Sequence, residues 1–201
     1  MKNKKLYTMT ECAMMIALAT VLSMCKLYQA PLGGSVTLLS MLPIIFISVR
    51  HGLVWGLGSG FVYSLIQMLL GLGNLTYIPT PLGVFGGVML DYVLPFTLLG
   101  LGGVFMLMKP KSKKTACVAI VCGAVLVVVL RFLCHFLSGA VVWYEITKTG
   151  EWNDYVKTVG MWTYSFVYNI TYLGPDGALV IIASPVLVRL REMPFVGGKG
   201  K

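Results

Sequence analysis

The sequence predicts an all-α membrane protein, a single domain over residues 1–201 with six transmembrane helices and cytoplasmic N- and C-termini. Three observations lead there. Of the 201 residues, 57% are hydrophobic and 11% charged, against roughly 25% charged in a soluble domain. Mean hydropathy is +0.84, and several stretches approach the roughly 20 apolar residues of helix that a bilayer core about 30 Å thick requires. Basic residues, finally, concentrate in alternate loops. A soluble domain of this length could not enclose so much apolar surface.

The spans follow in order. The first covers residues 6–28, with few charges, and ends at the Pro31-Leu32-Gly33-Gly34 turn. The second, 36–49, is short, so it is tilted, shielded or joined to the loop before it. Arg50-His51-Gly52 is a tight polar corner leading into the third span, 52–71. Residues 74–81 carry two prolines and break the chain before the fourth, 82–108. The polar run Lys109-Pro110-Lys111-Ser112-Lys113-Lys114 precedes the fifth, 115–144. The longest hydrophilic loop, 145–157, leads into the sixth, 158–190. No internal repeat and no separate soluble domain is visible.

Orientation comes from the basic residues, which stay cytoplasmic when they flank spans. With the N-terminus inside, the inner side holds Lys2, Lys4, Lys5, Arg50, Lys109, Lys111, Lys113, Lys114, Arg189, Arg191, Lys199 and Lys201. The outer loops hold Lys148 and Lys157, while Lys26 and Arg131 lie within spans. Twelve against two is a topology signal, and it accounts for the +9 net charge without a nucleic-acid partner. The basic start and apolar run resemble a signal peptide, but no small-x-small cleavage site follows. Leu22-Ser23-Met24-Cys25 is a poor lipoprotein box, so the first helix is expected to remain uncleaved. Cys12, Cys25, Cys117, Cys122 and Cys134 form no CxxC pair and read as small apolar residues within helices. No metal site is expected.

Ionisable groups inside a bilayer are expensive and mark function. Asp91 in span four, His135 in span five and Asn169 in span six all fall roughly 13–17 Å below the outer boundary at 1.5 Å per residue. Plainer roles exist for each. Asn169 can join helices, His135 can bond a neighbour, and Asp91 can pair with Arg131, which shares a helix face with His135. Trp143 lies two turns beyond His135, and Gly139 between them leaves a gap in which a flat ligand could lie. Tyr92 adjoins Asp91, Tyr164 precedes Asn169, and Trp162 and Tyr168 are near. Trp152 and Tyr155 fit an interfacial belt. A carboxylate among aromatic faces, opening outward, suits an organic cation with a flat ring. His135 and Asn169 would address a heteroaromatic edge.

An ordered set of short motifs carries a resemblance over nearly the whole chain. It comprises Ala13-Met14-Met15-Ile16-Ala17 with Lys26, Gly33-Gly34-Ser35, Met41-Leu42-Pro43-Ile44, Leu90-Asp91-Tyr92, Pro95-Phe96, Leu99-Gly100-Leu101, Arg131-Phe132, His135-Phe136, Ser138-Gly139, Trp143, Tyr164-Ser165 and Tyr168-Asn169. The chain resembles the thiamine-specific S component, the substrate-binding membrane subunit, of energy-coupling factor (ECF) transporters. The resemblance implies that Asp91 faces the thiazolium of thiamine, a shorter acid than the Glu of some members. It implies pocket positions for Tyr92, His135, Gly139, Trp143, Tyr164 and Asn169. It implies an aromatic before span four, for which Tyr77 is the candidate at longer spacing than the family pattern. It further implies no cofactor of its own, a bacterial plasma-membrane location, and partnership with a transmembrane coupling protein and two cytoplasmic ATPases. No phosphate-binding Gly-x-x-x-x-Gly-Lys-Ser/Thr loop occurs in the chain. Ala13 and Ala17 put two small side chains on one helix face. The family uses such a pair to meet the coupling protein, and packing inside the bundle is the alternative. Gly52, Gly56 and Gly60 offer a similar small face. A stand-alone secondary carrier of a small organic cation remains the rival function, although such folds often show repeats. An enzyme using Asp91 and His135 as acid and base lacks an accompanying nucleophile or metal set.

Overall fold

A computed structural model describes residues 2–30, 33–150 and 154–193. Pro31 and Leu32 of the expected turn, Trp152 of the expected belt, and Lys199 and Lys201 of the basic count lie outside the described residues. The elements are α1 (Lys2–Met24), a two-stranded antiparallel ribbon of β1 (Lys26–Gln29) and β2 (Ser35–Thr37), α2 (Leu42–His51), α3 (Leu53–Leu70) and the short α4 (Leu72–Leu75). Then come α5 (Pro81–Met108), α6 (Lys113–Thr149), the short α7 (Tyr155–Thr158) and α8 (Met161–Leu190). Among the described residues five helices, α1, α3, α5, α6 and α8, are long and apolar enough to cross a membrane. The protein is thus an all-α membrane protein apart from its ribbon.

The ribbon corrects two expected boundaries. Helix α1 stops at Met24, and Lys26 to Tyr28 of the first predicted span form β1. Cys25 falls between them, just outside the helix. The second predicted span begins at Val36, but Val36 belongs to β2 and helix starts only at Leu42. The apolar run is continuous across this boundary, and an apolar run alone does not separate strand from helix. Ten residues of α2 rise about 15 Å, half of a bilayer core. Residues Pro43 to Val49 are all buried, so protein surrounds this helix on every side. The expected 145–157 loop is helical at both described ends, through Thr149 and again at Tyr155–Thr158.

Small residues set the helix spacing. A Cβ on Gly56 or Gly60 of α3 would strike backbone of α5, and one on Gly123 of α6 would strike the backbone of Gly102. Close backbone approach of this kind is how helices pack where lipid gives no hydrophobic drive. Gly56 and Gly60 therefore pack inside the bundle. Gly52 serves the chain direction instead. Its φ of 93° turns the chain sharply between α2 and α3, a conformation that L side chains avoid.

That corner is also an electrostatic junction. Glu11 of α1, largely buried, receives Arg50 Nε at 3.1 Å and His51 Nε2 at 2.7 Å. Arg50 Nη1 also donates to the Leu190 carbonyl at the end of α8, 2.9 Å away. Lys113, opening α6, pairs with Glu192 at 3.0 Å. The α2–α3 corner, the start of α6 and the end of α8 therefore share one end of the bundle, with Glu11 in the first half of α1 against them, and the ribbon lies at the other.

Candidate functional site

At the ribbon end, the end of α1, the ribbon, α3, α4, α5, α6 and α8 line a cavity of about 610 Å³, within the range of small-molecule sites. Asp91 enters it from an unusual piece of helix. Residues Val88–Val93 of α5 take π-helical winding. Pro95 lies four residues after Asp91, where its ring and missing N–H prevent the ordinary bond to the Asp91 carbonyl. The π turn absorbs that defect and presents Asp91 to α6. Single π turns recur at functional sites for such reasons.

Helix α6 answers with three donors. His135 Nδ1 lies 3.2 Å from Asp91 Oδ1, and Ser138 Oγ and Trp143 Nε1 donate to Oδ2 at 2.8 and 2.7 Å. His135 Nε2 is buried and has no hydrogen-bond partner among the described residues. A second π turn, Gly139–Trp143, lies in α6. There Gly139 sits so close to α8 that a Cβ would collide with Ser165 and press on Asn169. The face that carries His135 and Trp143 is thus bent around Asp91.

From α8, Tyr164, Tyr168 and Tyr172 line the cavity at four-residue intervals, the spacing of one helix face. Tyr164 and Tyr168 stack with centroids 5.9 Å apart. Tyr172 stands edge-on to His135, and its hydroxyl donates to Asn169 Oδ1 at 2.6 Å. Asn169 Nδ2 donates to the carbonyls of Ser165 and His135 at 2.8 and 3.2 Å. It joins α6 to α8 at the cavity wall.

The structure brings Asp91, Tyr92, His135, Gly139, Trp143, Tyr164 and Asn169 to the cavity together. Tyr92 donates from its hydroxyl to the Gly71 carbonyl at 3.0 Å. Tyr77 is not with them: it is half exposed, in the segment between α4 and α5, and does not line the cavity. The long spacing to Asp91 places it outside. Lys26 lines the cavity, whereas Lys148 instead stands over the Tyr144 ring. Ala13 and Ala17 are exposed on α1, so internal packing does not account for them.

The alternative pairing of Asp91 with Arg131 is not what forms. Arg131 Nη1 pairs with Asp176 Oδ2 of α8 at 3.3 Å, and its guanidinium lies over Phe96, 4.8 Å from the ring centroid. Sequence reasoning missed Asp176, yet it continues the Tyr164, Tyr168, Tyr172 ladder by one more step of four. That periodicity was the available signal. Ser138 was also missed as an Asp91 partner.

Comparison with known proteins bears on this site. Residues 9–195 match the family described as thiamine transporter protein (Thia_YuaJ). The thiamine transporter ThiT of Bacillus subtilis (strain 168) is 31% identical over 182 residues, covering 87% of this chain and 86% of that protein. ThiT of Lacticaseibacillus paracasei is 24% identical over 206 residues, covering 100% of this chain and 96% of its own. A solved structure of ThiT from Listeria monocytogenes has a TM-score of 0.71 at 23% identity, covering 93% of this chain and 96% of that one. The fold is shared with that structure.

Proposed function

Because the chain belongs to the thiamine transporter protein family, we propose that it captures thiamine as the S component of an ECF importer. It is a multi-pass protein of the cell membrane. The observation that carries the reading is Asp91: a carboxylate within an apolar bundle, at a cavity lined by aromatic side chains. Thiamine brings a permanent positive charge and two flat rings. Burial would strand that charge without an acid nearby, and aromatic faces attract a desolvated cation. Asp91 supplies the counter-charge; Trp143, Tyr92 and Tyr164 supply ring faces. The unpartnered His135 Nε2 and the second lone pair of Asn169 Oδ1 are left for a heteroaromatic edge.

Capture needs no cofactor in this chain. Uptake then draws on a transmembrane coupling protein and two cytoplasmic ATPases, with the exposed Ala13 and Ala17 as the docking stripe. Both termini lie in the cytoplasm. In support, the twelve-to-two basic count marks one side, and Glu11 in the first half of α1 and the Leu190 carbonyl at the end of α8 both bond Arg50. The ribbon and α2 together supply the sixth pass.

The test is thiamine uptake in cells lacking their own route, with this chain expressed alone or with coupling proteins. ATP-dependent accumulation is expected only in the second case. Accumulation by the chain alone would instead identify a secondary carrier.

A further inference from the structure

We propose that Asp176, which does not line the cavity, is the residue that sets its preference for a cation. The proposal rests on the thiamine reading of the same site. The cavity wall carries two largely buried charges, Asp91 and Arg131, and these are opposite. Arg131 is one helical turn from His135, the partner of Asp91. Taken alone, the two charges cancel and leave nothing for a bound cation. Asp176, fully buried behind Arg131, restores the imbalance by pairing with it. The buried set is then two acids and one base, a net single negative charge. Lys26 also borders the cavity but is exposed, where water and salt screen it.

A second set of bonds makes Asp176 more than a neutraliser. Its Oδ1 accepts the Thr37 backbone N–H at 2.9 Å and the Thr37 hydroxyl at 3.0 Å. Thr37 belongs to β2, the strand that carries the ribbon over the cavity, and its hydroxyl also meets Ser40 at 2.7 Å. One carboxylate thus holds the charge balance with one oxygen and the ribbon with the other. The two roles separate by substitution. Asp176→Asn keeps an oxygen for Thr37 and removes the charge together with the acceptor for Arg131, whereas Thr37→Val removes a ribbon bond and leaves both.

The experiment compares thiamine with its neutral analogue, in which a thiophene replaces the thiazolium. Calorimetry measures both ligands on the parent, Asp176→Asn, Arg131→Gln and the double variant. Removing one member of a buried pair leaves the other charge uncompensated, so Asp176→Asn should weaken thiamine about tenfold or more and the analogue under about threefold. Arg131→Gln, leaving two acids, should widen the preference for thiamine over the analogue. The double variant has no charge at either position and should return that preference to within about threefold of the parent. It remains informative if Asp176→Asn alone does not fold. Equal losses for both ligands in Asp176→Asn overturn the inference, as does a double variant that fails to restore the preference. A parent that binds neither ligand overturns the thiamine reading itself, which is a distinguishable result.

Discussion

Asp91 accepts hydrogen bonds from His135, Ser138 and Trp143, all on α6. The arrangement fixes a short acid in place, and donors aimed at a carboxylate stabilise its charge in an apolar surround. Ser138 is fully buried and touches Asp91 without lining the cavity. Ser138→Ala should therefore loosen the carboxylate while leaving the pocket's shape intact. A hydrogen bond to a charged group contributes roughly 1.5–3 kcal/mol, so thiamine binding should fall about tenfold to a hundredfold in equilibrium titration. Unchanged affinity would mean that the other two donors suffice. The sequence shows that Asp91, His135 and Asn169 share a depth, since depth follows from counting along helices. It does not show which acid meets Arg131. That choice depends on how α5, α6 and α8 rotate against one another, and spacing along one chain segment carries no such information.

At the scale of elements, both acid and donors stand on or beside π turns, Val88–Val93 and Gly139–Trp143. The first has a legible cause in Pro95. In the second, Gly139 is pressed against Ser165 and Asn169, a contact visible only once α8 is in place. Gly139→Val should push α6 from α8 and swing His135 and Trp143 off Asp91. Overpacking of this sort costs about 1–3 kcal/mol, so thermal unfolding should shift down, and thiamine affinity should fall about tenfold or more. Retained affinity with lowered stability would show that the two π turns do not cooperate. The ribbon was the element least legible beforehand. Gly33-Gly34 between two apolar segments was a hairpin signal, but the flanking runs continued helical patterns and concealed the strands.

For the whole molecule, the Glu11, Arg50 and Leu190 junction gathers chain segments at one end, opposite the cavity. Both termini are expected in the cytoplasm. On a cysteine-free background, Gly150→Cys should react with an impermeant thiol reagent from outside intact cells, and Ser112→Cys should not. Labelling at 112 would reverse the topology. Docking to a coupling protein is the separate role proposed for the exposed Ala13 and Ala17 face of α1. Replacing Ala13 and Ala17 with Trp should abolish ATP-driven uptake and leave thiamine binding by the purified chain within about threefold of the parent, since neither residue touches the cavity. Equal loss of binding would assign the pair to folding. The central claim is that this bundle binds thiamine through the charge of Asp91. Its most direct test is titration of thiamine against the parent and Asp91→Asn, a substitution that nearly preserves shape. Losing one member of a buried charge pair costs about 2–5 kcal/mol, so affinity should fall roughly 30-fold to several thousand-fold. Asp91→Asn protein that binds thiamine as tightly as the parent would contradict the account.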